Sequence, residues 1–215
     1  AHYVFSQGNS EKDIKITGFS LLDPRISNIS VDEFMELKNE YIASYSPLKD
    51  EINKMLLQAN GHFGVYFEDL TFHSWFGINE REKFKPASLL KITTISSILK
   101  EAEDGEISLN TKVTLNEDDL NSRFGELYKE KDSILTLKEL IEIAIIHSDN
   151  TAIKKLHEFM SDERWTETRL GMGLPLVSVQ ESEQGTSLSP KEFSNVFRSL
   201  YYSGYLSRSF SEWVL

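Results

Sequence analysis

Two runs rich in aromatic and β-branched residues, HFGVYFEDL (residues 62–70) and FHSWFGI (72–78), stand next to each other in the chain. They predict one antiparallel strand pair turning at Leu70 and Thr71. A two-stranded ribbon is not stable in water by itself, so the rest of the chain must cover it. That remainder is mostly helical in pattern. From Val31 to about Asn60, Phe34, Leu37, Tyr41, Leu48, Ile52 and Leu56 recur at helical spacings, with Pro47 expected to interrupt them. From Pro86 to Leu215 the periodicity is again helical, punctuated by Asp104-Gly105, Gly125, Gly171, Gly173, Gly185 and Gly204. The expected class is α/β in the α+β sense, a helical lobe on a small antiparallel sheet. The boundary falls near residue 60, between an irregular and helical N-terminal segment (1–60) and the main domain (61–215).

Composition removes several function classes. With 23 Lys and Arg against 34 Asp and Glu, the net charge is −11, and no basic cluster appears. A nucleic-acid partner is therefore not expected, because phosphate binding needs clustered cations. The absence of cysteine excludes disulfides, thiolate catalysis and Cys-type zinc sites. None of the five histidines pairs at metal-ligand spacing, and no metal or cofactor is implied. The first residues lack a secretory signal, and apolar runs such as Ile141–Ile146 are too short to span a membrane.

Chemistry is concentrated in two short motifs. Pro86-Ala87-Ser88-Leu89-Leu90-Lys91 heads an apolar helical pattern that continues through Ile92, Ile95, Ile98 and Leu99. A three-residue step on a helix puts Ser88 and Lys91 on one face, and Pro86 suits a helix start. Backbone N–H groups of a first turn lack intrahelical partners, which favours negative charge beside Ser88. Apolar neighbours would lower the Lys91 pKa and let it accept the Ser88 proton. The same spacing recurs at Ser46/Lys49 and Ser97/Lys100. Ser97 falls on the opposite helix face at about 100° per residue. Lys100 opens a charged run and is expected to be solvated, while Ser46 precedes a proline. The second motif is Ser148-Asp149-Asn150, before the helix-like TAIKKLHEFM. All three residue types are also good helix N-caps, so either motif alone has an ordinary structural reading. His147 beside it is read as structural or cleft-edge.

Taken together the motifs are specific. Ser88-x-x-Lys91 followed by Ser148-Asp149-Asn150 resembles the serine β-lactamase and penicillin-binding protein superfamily, most closely class A β-lactamases. The 60-residue step from Ser88 to Ser148 (148 − 88) fits that class. GVYFEDL resembles its first sheet strand, and SLSPKEFSNVFRSLYYSG the helix after its Ω-loop. The resemblance implies the serine β-lactamase/transpeptidase-like fold over residues 61–215, with the site between helices and sheet. It makes Ser88 the acylated nucleophile and Lys91 a base. Ser148 relays a proton to the leaving nitrogen, and Asn150 hydrogen-bonds the substrate amide and Lys91. Phe124, between the motifs, lines the cleft or serves ordinary packing. The implied partner is a small β-lactam or a peptidoglycan stem peptide, met by an extracytoplasmic monomer. A non-catalytic penicillin-recognising or wall-binding domain is the alternative.

Two departures from the family pattern shape the expectations. The Lys-Thr/Ser-Gly motif is missing; Lys15-Ile16-Thr17-Gly18 and Lys91-Ile92-Thr93-Thr94 do not match it. By family order it and the later sheet strands are expected beyond Leu215, so residues 1–215 alone are expected to be inactive. The stretch from Asn150 to Pro190 is roughly ten residues shorter than the class A equivalent and lacks an E-x-x-x-N signature. Glu181 and Glu183 are the nearest candidates for a deacylation base, or else solvated loop charges.

Overall fold

The computed structural model describes residues 45–71, 73–175 and 186–215. The helical pattern over 31–44, the irregular start, Glu181 and Glu183 lie outside the described residues. Helix α1 is Ser46–Gln58 and strands β1 (Val65–Glu68) and β2 (Trp75–Ile78) follow. A 3₁₀ turn, Ala87–Leu90, runs directly into α2, Lys91–Glu103. Strands β3 (Lys112–Thr114) and β4 (Ile134–Thr136) precede α3 (Leu137–Ile146) and α4 (Asn150–His157). Then come α5 (Asp162–Gly171), α6 (Pro190–Tyr201) and α7 (Arg208–Val214).

Pro47 stands in the first turn of α1, and Ser46 is helical; the stretch it was expected to separate from this helix lies outside the described residues. A proline in the first turn costs no hydrogen bond, because the N–H it lacks would have no intrahelical acceptor. β1 and β2 pair antiparallel with Phe67 opposite Phe76 and Glu68 opposite Trp75. Alternation sends these two pairs to opposite faces. Phe67 and Phe76 stack with ring centres 5.2 Å apart, and Tyr45, just before α1, lies 4.7 Å from Phe67. On the other face Arg198 of α6 pairs with Glu68, and Lys191 Nζ sits 4.1 Å from the centre of the Trp75 ring. The ribbon is thus held between α1 and α6, which answers its inability to stand alone.

The main core is built around α2. Ile95, Ile98 and Leu99 of α2 are fully buried against Leu137, Leu140 and Ile141 of α3, Ala152 and Leu156 of α4, and Val196 and Leu200 of α6. Two of the small polar residues that let α2 be buried nearly all round, Thr93 and Ser97, find hydrogen-bond partners. Thr93 Oγ1 donates to Leu90 O at 2.7 Å, and Ser97 Oγ reaches Thr168 Oγ1 at 2.9 Å. Ser97 therefore points into the α2–α5 contact, as its helix position predicted. Lys100 departs from expectation: it is half-buried, 3.4 Å from Glu103 and 3.3 Å from Asp104. Burial alone would lower its pKa, but bonds to Asp104 and Glu103 hold it above the ordinary value. Capping fixes several helix starts. Ser189 and Glu192 form a reciprocal box at α6, and Thr136 and Glu139 another at α3.

Candidate active site

Ser88 is carried by the 3₁₀ turn that continues into α2. The strand-like contact just before it, Phe84 with Leu188, exchanges two backbone bonds of 2.9 Å and fixes the approach of the chain. Ala87 adopts φ +48°, a left-handed conformation that costs a residue with a β-carbon roughly 1–3 kcal/mol. Ser88 is exposed, with no side-chain hydrogen bond among the described residues. On its flank Leu89, with Val65, Tyr66, Phe193 and Phe197, lines an apolar groove of about 470 Å³.

Lys91 lies three residues on and half-buried. Its ammonium donates to both the carbonyl oxygen and the hydroxyl of Ser148, the latter at 3.0 Å. Burial pushes the Lys91 ammonium below its ordinary pKa, and the Asp149 carboxylate partly opposes this. The two motifs, 57 residues apart at these positions, thus meet through Lys91 and Ser148.

The Ser148-Asp149-Asn150 turn divides its roles between cap and cleft. Asp149 is the N-cap of α4, accepting from Ala152 N–H at 2.9 Å. Its second oxygen accepts from Leu127 N–H at 2.9 Å. Ser148 precedes the cap, with φ +52°. Asn150 opens α4, and its N–H donates to Phe124 O at 3.0 Å. Phe124 is 59% exposed, so its ring is not core packing. His147 ends α3 and is exposed.

Sequence reasoning singled out Phe124 but missed the rest of the segment that supports this turn. Asp119, Asn121, Phe124 and Leu127 each reach α4 or its cap. The Asp119–Lys155 pair is buried at 3.1 Å, and Asn121 N–H donates to Thr151 Oγ1 at 2.9 Å. No local pattern advertises such ties, because they join residues 22 to 36 positions apart. Among them, Gly125 with φ +93° is the one visible signal.

Residues 47–215 match the β-lactamase enzyme family. The chain belongs to this family. Among its β-lactamase relatives is the imipenem-hydrolyzing β-lactamase of Enterobacter cloacae. It is 30% identical over 103 residues, covering 48% of this chain and 35% of that protein. The D-alanyl-D-alanine carboxypeptidase DacF of Bacillus subtilis is 30% identical over 83 residues, 39% of this chain and 21% of that protein. The β-lactamase family fold is also evident in solved structures. A PBP-A variant in acyl-enzyme complex with penicillin G superposes with TM-score 0.65 at 20% identity, covering 79% of this chain and 66% of that one. A class A β-lactamase variant of the last common ancestor of Gram-negative bacteria gives 0.64 at 22% identity, covering 77% and 66%. The matches thus span about a third or less of these curated relatives and two thirds of the solved chains. Among the described residues no helix is long and apolar enough to cross a membrane.

Proposed function

We propose that the protein is an active-site-serine acyltransferase or hydrolase acting on β-lactams or on D-Ala-D-Ala peptides, through a Ser88 acyl-enzyme. The observation that carries this reading is the Lys91–Ser148 contact at 3.0 Å, one turn from an exposed serine. In acylation Ser88 Oγ bonds to the substrate carbonyl carbon and gives its proton to neutral Lys91. The C–N bond then breaks. A proton passes from Lys91 through the Ser148 hydroxyl to the leaving nitrogen. The N–H of Ser88, in a first turn without intrahelical acceptors, contributes to stabilising the oxyanion. Asn150 binds the substrate amide and Phe124 flanks it. The penicillin G acyl-enzyme of a structural neighbour supports the same chemistry.

Hydrolysis of the ester needs a water and a base near neutral pH. The shortened segment before Pro190 lacks the E-x-x-x-N pattern, leaving Glu181 and Glu183 as the nearest candidate acids. Slow deacylation follows, which favours a slow hydrolase or wall enzyme over an efficient resistance factor. Peptidoglycan and its mimics lie outside the cytoplasm, so an extracytoplasmic location goes with this function. The test is covalent labelling of the full-length protein with a fluorescent penicillin. Label that disappears in Ser88→Ala supports the proposal. A folded protein that never labels would instead indicate the non-catalytic recognition domain.

A further inference from the structure

Gly125 sits where the loop between the motifs closes on the Ser148 turn. Asp149, 1% exposed, receives Leu127 N–H and Ala152 N–H, while Asn150 N–H reaches Phe124 O. The loop therefore grips the turn on both sides of Gly125. A β-carbon at this position would fall 1.9 Å from Asp149 Oδ2, 2.3 Å from its Cγ and 2.7 Å from its Cα. The last of these is main chain and cannot swing aside. With φ +93°, the position also suits glycine and few other residues.

Ser148, the residue before Asp149, has φ +52° and turns both its carbonyl and its hydroxyl to Lys91. A conformation of that kind persists only where its surroundings over-determine it. Here the Asp149 carboxylate is the anchor, and Gly125 is the space that anchor occupies. We propose that Gly125 is a positioning residue for the Lys91–Ser148 relay: its missing side chain seats Asp149, and that seating keeps Ser148 against Lys91. The catalytic meaning of the relay rests on the proposed function, whereas the geometry stands without it.

A methyl group at 125 would force Asp149 back by roughly 1 Å in an interior too dense to absorb it. Leu127 N–H would lose its acceptor, and Ser148 would relax to an ordinary conformation. Lys91 would then lose two acceptors and gain water. The fold should survive, because Asn121–Thr151 and Asp119–Lys155 tie the same loop to α4 independently.

The test is an NMR titration of ¹³C-labelled lysines, with Lys91 assigned through Lys91→Arg. In Gly125→Ala the Lys91 pKa should rise toward its ordinary value of 10.5, because water replaces the burial that lowers it. Exchange of the Asn150 amide should accelerate about tenfold or more, while the Ile98 and Leu99 amides stay protected. A cooperatively folded Gly125→Ala protein with unchanged Lys91 titration and Asn150 protection overturns the proposal. If Gly125→Ala does not fold, the same change is made in Asp149→Ala, which removes the two closest clashes. Cooperative folding of that double variant supports the proposal, and its failure to fold overturns it. None of these readouts needs acylation, so a protein that never labels with penicillin refutes the proposed function and leaves this result untouched.

Discussion

Lys91 is asked to be both well held and deprotonated, and those demands oppose one another. Its bonds to Ser148 hold the side chain in place, while burial lowers its proton affinity against the pull of Asp149. In the proposed mechanism only the neutral amine accepts the Ser88 proton. Acylation should therefore rise with pH and level off below pH 10.5, the ordinary lysine value. A pH–rate profile of penicillin labelling checks this, and a limb still rising at 10.5 would contradict it. Lys91→Ala and Lys91→Arg should each slow labelling by about 100-fold or more, since neither supplies a base at neutral pH. Lys100→Ala should leave the rate within about twofold and cost about 1 kcal/mol, because its ion pairs lie within one helix end and are partly exposed. Side-by-side labelling rates and urea titrations of the three variants separate these roles.

Elements reach the site through ties that a linear reading sees unevenly. The helical spacing of Ile92, Ile95, Ile98 and Leu99 was enough to place α2, and the two aromatic runs were enough to place β1 and β2. Three-residue strands such as Lys112–Thr114 carry too little alternation to stand out from a helical region. Pro47 shows how one residue type both breaks and begins helices: here it stands in the first turn of α1. The motif residues were legible because their spacing is specific; Gly125 was legible only as a break in the helical pattern, because its partner Asp149 is far along the chain. Lys100 looked solvated in a charged run, but its partners Glu103 and Asp104 share its helix end. The element-scale test is the buried Asp119–Lys155 pair, whose side chains are 5% and 7% exposed. Burial would raise the Asp119 pKa, yet the Asn116 N–H and the Lys155 ammonium hold it below the ordinary value. A depressed carboxylate contributes stability above its unfolded pKa and loses it as pH falls through the folded one. Asp119→Asn should cost about 3 kcal/mol near neutrality, at the low end for a broken buried pair, because Glu158 still faces Lys155 at 2.8 Å. Urea unfolding should show that deficit shrinking in acid below the depressed Asp119 value. A deficit independent of pH would mean that the charge is not what matters.

At the scale of the whole molecule, the helical core around α2 and the ribbon held between α1 and α6 meet at the Ser88 turn. The Phe84–Leu188 contact and the run of 3₁₀ turn into helix connect the two regions. Core stability and chemistry should accordingly be separable. Ile98→Ala, at a fully buried position, should cost about 2–5 kcal/mol in urea. The protein that remains folded should still label at an unchanged rate at 20 °C. Membership of the β-lactamase family accounts for the pairing of motifs, and the Lys91–Ser148 contact gives that pairing a physical form. The central claim is the identity of the nucleophile. Tandem mass spectrometry of the penicillin-treated full-length protein should locate one adduct on the peptide containing Ser88, and none on those with Ser46 or Ser97. An adduct on another serine, or one that survives Ser88→Ala, would contradict the account.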